Sequence, residues 1–147
     1  MKADRLLHPD LLELVARAGH GDTIVLADAG LKVPEDRYTI DLAVTCGVPS
    51  MAQVVRAVTA ELVVESALVA SEFGEWNPDV RAAVVAELPM EPRERPHADL
   101  MAEMASSALG YVKTGECSAF SSVVLVCGVS YFDEAVNLHE RLEAKRS

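Results

Sequence analysis

"RAGHGDTIVLADAGL", residues 17 to 31, is the stretch from which the rest of the chain is read. Gly19 interrupts what precedes it, "TIVLA" is a short β-branched apolar run, and "DAG" ends that run with turn-forming residues, the pattern of a buried strand between two loops. Upstream, "HPDLLELVARAG" places Leu11, Leu12, Val15 and Ala18 on one helical face. Pro9 suits the first turn of that helix and Gly19 its C-terminal stop. A helix over about residues 9–18 feeding directly into a strand predicts an α/β domain.

The remaining segments extend that alternation. "RYTIDLAV" alternates as a second strand across the loop "GLKVPED", "VPSMAQVVRAVTAEL" returns to helical spacing from Pro49, and "LVVESALVA" is a third strand. "NPDVRAAVVAEL" is a helix with Asn77 as N-cap and Pro78 at its first position. "PMEPRERP" combines proline with charge and predicts an exposed loop holding no ladder. "HADLMAEMASSALGYV" predicts a helix, and "SSVVLVCGV" gives the strongest strand signal in the chain. In the tail, "YFDEAVNLHERLEAKR", Phe132, Val136, His139 and Leu142 form one stripe with basic residues in the last turn, an amphipathic helix that needs a surface to lie on.

At 147 residues the chain supports one domain with a proper core. Half of its residues are apolar but only 5% are aromatic, which favours self-association of an incompletely hidden apolar surface. Thirteen basic against 23 acidic residues give a net charge of -10, which disfavours nucleic acid and anionic membranes as partners. Cys46, Cys117 and Cys127 are odd in number and show no C-x-x-C spacing, so neither a disulfide framework nor a cysteine zinc site is expected. With no apolar leader in "MKADRLLHPD", a soluble, unexported protein in a reducing cytoplasm is the expectation.

His20 stands between two glycines where a helix ends and a strand begins, a place that exposes a side chain capable of proton transfer near neutral pH. Asp28, eight residues on, can orient a partner or bind a hydroxyl, but that spacing covers much of a strand, and the two need not meet within one chain. The plainer reading keeps His20 as a polar loop residue and Asp28 as a turn-former; spacing leaves both open. His8 reads as a helix-start residue, His139 as a packed or edge residue of the tail, and His97 as either a cap or a group over a pocket. Glu116 reads as a solvated loop carboxylate. No H-E-x-x-H, carboxylate cluster, dinucleotide glycine motif, phosphate loop or nucleophile elbow is present, so no metal site is suggested by the residues.

Three ordered motifs, "GHGDTIVLADAGLKVP", "IDLAVTCGVPSMAQVV" and "TGECSAFSSVVLVCGV", resemble the D-ribose pyranase and L-fucose mutarotase family, nearer its pyranase branch, from about residue 5 to 129. The resemblance implies an α/β sandwich core and a ring-shaped homo-oligomer, commonly a decamer of two pentamers, with sugar pockets between neighbouring subunits. It also implies interconversion of the pyranose and furanose forms, or the anomers, of a free sugar without a cofactor. His20 matches the family's proton donor, and Asp28 matches an aspartate that contacts the sugar. Where the family carries a sugar-binding tyrosine and asparagine, this chain has Phe120 and Ser122: the first can stack on a sugar face, the second offers one hydroxyl. His97 matches a later binding histidine with a one-residue shift, and "MEPRERPH" stands where the family has a strand. The expectation is a pyranase-like domain over residues 1–130 and a helical extension over 131–147. Its rivals are a non-catalytic sugar-binding or scaffold homologue and an L-fucose-type mutarotase.

Overall fold

Helix α1 (Pro9–Arg17) opens on His8, whose Nδ1 accepts the Leu11 N–H at 3.4 Å, while Pro9 occupies a position with no intrahelical donor to lose. The computed structural model describes residues 1–3 and 5–147. Strand β1 (Thr23–Ala27) follows, then β2 (Thr39–Asp41) and helix α2 (Met51–Thr59). Helix α2 is fixed by a capping box in which Ser50 and Gln53 exchange side-chain and backbone hydrogen bonds, so the cap is Ser50, and Pro49 lies outside the helix. Strand β3 (Val64–Ala70), helices α3 (Ser71–Trp76) and α4 (Pro78–Glu87), strand β4 (Arg93–Arg95), helix α5 (His97–Ser107), strands β5 (Ala108–Lys113) and β6 (Val123–Cys127), and helix α6 (Phe132–Arg146) complete the order.

The strands form one sheet in the order β2-β5-β1-β6-β3-β4. Strand β6 runs antiparallel to both β1 and β3, whereas the β1–β5, β2–β5 and β3–β4 pairs are parallel. Alternation along β1 sends Ile24 and Leu26 to one face and Val25 and Ala27 to the other. The first face is covered by α1, α2 and α4 through Leu11, Leu14, Val55, Val58 and Val84, and the second by α5 through Leu100 and Met104. The result is a three-layer α/β sandwich whose central strand is the "TIVLA" run. Burying each such Leu, Ile or Val side chain stabilises the fold by roughly 1.5–3 kcal/mol.

Several local expectations are corrected. The predicted helix beginning at His97 ends at Ser107, and "ALGYVK" is instead β5, hydrogen-bonded to both β1 and β2. An alanine-rich approach hid the β preference of Tyr111 and Val112. "PMEPRERP" does hold a short ladder: Arg93, Glu94 and Arg95 pair with Leu68, Val69 and Ala70, with Pro92 and Pro96 just outside an edge strand that needs few donors. The strand the family places before His97 is therefore present. Asn77 precedes α4, but its amide donates to the Ala119 carbonyl at 2.8 Å rather than capping the helix.

Cys46 and Cys117 form a disulfide across 71 residues, against the expectation of free thiols. Its partners come from loops after β2 and β5, adjacent parallel strands that end at the same sheet edge, a proximity no local spacing reveals. Cys127 is free and buried. Every residue of α6 is exposed, so the stripe of Phe132, Val136, His139 and Leu142 is not buried against the described residues of its own chain.

Candidate functional site

The parallel strands bring loops to their carboxyl ends, where an open α/β sheet ordinarily binds ligands. Asp28 follows β1, His97 follows β4, and Glu116 follows β5; Ser122 immediately precedes β6, which runs the other way and so begins at that edge. Together these loops frame a cavity of about 770 Å³ lined by Asp28, Lys32, His97, Met101, Glu116 and Phe120, among others.

The Asp28 carboxylate and backbone N–H are held by three hydrogen bonds. Its Oδ2 accepts the Ser122 hydroxyl at 2.8 Å, its Oδ1 accepts the Gly30 N–H at 3.0 Å, and its own N–H donates to Ser122 Oγ at 3.0 Å. Ser122 is buried and does not line the cavity, so its hydroxyl is directed to Asp28 and not offered to a ligand. Ser122, expected to contact a sugar, supports the carboxylate in this structure.

Phe120 does face the cavity, and it holds a left-handed backbone at φ 60°, a conformation that is uncommon for a residue with a side chain. Its ring meets Trp76 edge-on at 5.5 Å and His97 at 5.0 Å. Phe120 also packs on both core clusters, and thus serves as core aromatic and pocket wall at once. His97 is the first residue of α5, and its backbone N–H donates to the Glu72 carboxylate at 2.8 Å, which leaves the ring in the cavity wall.

Glu116 is not a solvated loop carboxylate. Its Oε1 accepts the Met51 N–H at the start of α2 at 3.2 Å, and its Oε2 accepts the Ser118 hydroxyl at 3.0 Å. The negative charge thus sits at the positive end of a helix. Its carbonyl accepts the Ala29 N–H at 2.8 Å and ties the two motif loops together. Lys32 and Tyr111 also line the cavity, and sequence reasoning missed both. Tyr111 had been absorbed into the predicted helix; its hydroxyl donates to the Met104 carbonyl at 3.0 Å, and burial raises its pKa.

His20 lies elsewhere. It precedes β1, so the length of the strand, about 16 Å at ~3.3 Å per residue, separates it from Asp28. Gly21 beside it takes φ 84°, a turn that lets the imidazole project outward. Its Nε2 is 3.1 Å from Glu65 Oε2, and both side chains are more than half exposed. His20, Glu65, Val63, Gly128 and Phe132 line a second recess of about 160 Å³ at the amino edge of the sheet. Within one chain the structure brings together Asp28, His97 and Phe120, supports them with Ser122, and keeps His20 apart.

Among the described residues no group of three or more His, Cys, Asp and Glu is placed to hold a metal ion, and no helix is long and apolar enough to cross a membrane.

Residues 1–130 match the model of the RbsD / FucU transport protein family. The chain is 41% identical over 131 residues to the D-ribose pyranase of Paracidovorax citrulli and 38% identical over 131 residues to that of Chloroflexus aggregans; each match covers 89% of this chain and all of the relative. Bacillus subtilis RbsD, solved in complex with D-ribose, superposes with a TM-score of 0.81 at 28% identity, covering 88% of this chain and 98% of that one. The fucose mutarotase of Streptococcus pneumoniae, solved with L-fucose, shares the fold at a TM-score of 0.63 and 20% identity, covering 83% of this chain and 93% of that one.

Proposed function

The chain belongs to the RbsD / FucU transport protein family, and on that premise we propose that it is a sugar ring isomerase of the D-ribose pyranase type, acting on a free monosaccharide such as D-ribose. The observation that carries the reading is the placement of His20 and Asp28 at opposite ends of β1, each lining a recess of its own. A site divided in this way is completed when the His20 edge of one copy meets the Asp28 cavity of another. Assembly into a homo-oligomer, a decamer in the finer form of the proposal, supplies such meetings.

The chemistry asks little of the protein, because a hemiacetal opens in water unaided. His20 gives a proton to the ring oxygen while the anomeric hydroxyl gives its own to water, the C–O bond breaks, and the open aldehyde forms. Rotation and attack by a different hydroxyl close the other ring. Asp28, fixed by Ser122 and Gly30, holds sugar hydroxyls; His97 and Phe120 form the wall against which the sugar lies. Glu65 orients the His20 ring. The pyranase-like unit is assigned to residues 1–130, a span supported by the family match, with 131–147 as an extension and the cytoplasm as its setting.

A second reading, a sugar-binding homologue without turnover, draws on Phe120 having no hydroxyl and on Ser122 spending its own on Asp28. Saturation-transfer NMR on D-ribose separates the two. The isomerase accelerates exchange between pyranose and furanose signals; a binding protein broadens ribose signals without accelerating exchange, which would overturn the first reading.

A further inference from the structure

The cavity wall from Glu116 to Phe120 is a loop anchored at several points, one of which is chemically reversible. The Glu116 carbonyl accepts the Ala29 N–H at 2.8 Å, the Ser118 carbonyl accepts the Ser121 hydroxyl at 2.7 Å, and the Ala119 carbonyl accepts the Asn77 amide at 2.8 Å. Between these, Cys117 is bonded to Cys46. The Cys46 loop is firm in its own right. Gly47 donates to the Gly115 carbonyl at 2.6 Å, Gly115 donates to the Pro49 carbonyl at 2.9 Å, and a Cβ on Gly115 would lie 2.4 Å from the Val48 oxygen. Past Gly115, the Cys117 sulfur ties the cavity wall covalently to this rigid support. Cys117 lines the cavity, and in the single chain both bonded cysteines are exposed to solvent and hence to thiol reagents. Cys127, fully buried in β6, is shielded from such exchange.

We infer that the Cys46–Cys117 disulfide is a redox-operated brace on the sugar pocket: oxidised, it holds the Glu116–Phe120 wall in its binding position, and reduction by a dithiol releases the wall and weakens sugar binding. The inference rests on the pocket being the sugar site. In the exchange, a thiolate of the dithiol attacks one cysteine sulfur, the Sγ–Sγ bond breaks, and the other cysteine leaves as a thiolate and takes up a proton. The second thiol of the reductant then closes its own disulfide and releases the remaining cysteine as a thiol. Two electrons and two protons pass to the chain, and the reductant is oxidised by the same amount. Re-ordering about one residue of backbone on binding costs roughly tenfold in affinity.

The test uses the full chain with and without dithiothreitol, beside the Cys46→Ser variant. Three readouts are taken: thiol titration, emission of Trp76, and the ribose dependence of ring exchange. Trp76 is the single tryptophan and packs on Phe120, so its emission reports the wall directly. The brace predicts no reactive thiol in the native oxidised chain and two after reduction, a shift in Trp76 emission, and about tenfold weaker ribose dependence. It also predicts that Cys46→Ser resembles the reduced wild type and ignores the reductant. Ring exchange with unchanged ribose dependence in both states would overturn the brace and leave the isomerase reading intact. An absence of exchange in both states would count against the isomerase reading. Trp76 emission then decides the brace alone: a shift on reduction that Cys46→Ser lacks supports it, and no shift overturns it.

Discussion

Replacing Ser122 by Ala tests whether the pocket carboxylate is built or merely present. The hydroxyl it removes is buried, donates to Asp28 Oδ2 at 2.8 Å and accepts the Asp28 N–H at 3.0 Å. A hydrogen bond to a charged group contributes about 1.5–3 kcal/mol, and a buried N–H left without a partner costs about 1–3 kcal/mol. The two share one atom and do not add in full, so a loss of about 2–4 kcal/mol in folding stability is expected. On the proposed mechanism Asp28, released on one side, also holds sugar less well. A loss of about 2 kcal/mol of positioning corresponds to roughly 30-fold in kcat/KM. Urea unfolding gives the first number, and saturation-transfer exchange on ribose over a concentration series gives the second. A stability change below about 0.5 kcal/mol, the level of an ordinary surface substitution, together with unchanged kcat/KM would refute the assignment of Ser122 as the support of Asp28.

Burial pushes the Cys127 thiol up from 9.0 to about 11, so the folded chain holds that proton more tightly than the unfolded one. Stability is therefore full below pH 9 and falls as pH rises towards 11, by up to about 2–3 kcal/mol, and Tyr111 acts in the same direction above its ordinary pKa. Urea midpoints between pH 8 and 11 should fall less steeply in Cys127→Ala; an identical slope would contradict this. Truncation after residue 130 removes a helix with no buried side chain, and unfolding measured in the monomer should change by less than about 1 kcal/mol. A larger loss would show that α6 packs on its own domain.

How legible the chain was depended on whether a signal was local. Helix α1, with His8 and Pro9 at its start, and the strands around "TIVLA" and "VVLVC" could be read from period and punctuation alone. Strand β5 could not: "ALGYVK" is short, its first residues favour helix, and its strand character comes from lying between β1 and β2. β4 was hidden because proline argues against a ladder, but here the prolines flank the pairing residues. The motifs singled out Asp28, His97 and Phe120, which share one cavity, and His20, which does not, but gave no sign of that grouping. The pairing of Cys46 with Cys117, the Glu116 contact to α2 and the service of Ser122 to Asp28 depend on loops brought to one sheet edge from distant positions, and nothing within a window of residues encodes them.

The most direct test of the central claim, a site shared between copies, is subunit complementation. His20→Ala and Asp28→Asn are purified separately, then unfolded and refolded together, and ribose ring exchange is followed by saturation transfer while native mass spectrometry verifies mixed oligomers. Each variant alone should be inactive, and the mixture should regain exchange, because some contacts pair an intact His20 edge with an intact Asp28 cavity. Mixed oligomers that form yet remain inactive, or a His20→Ala protein that turns over at the wild-type rate, would contradict the account.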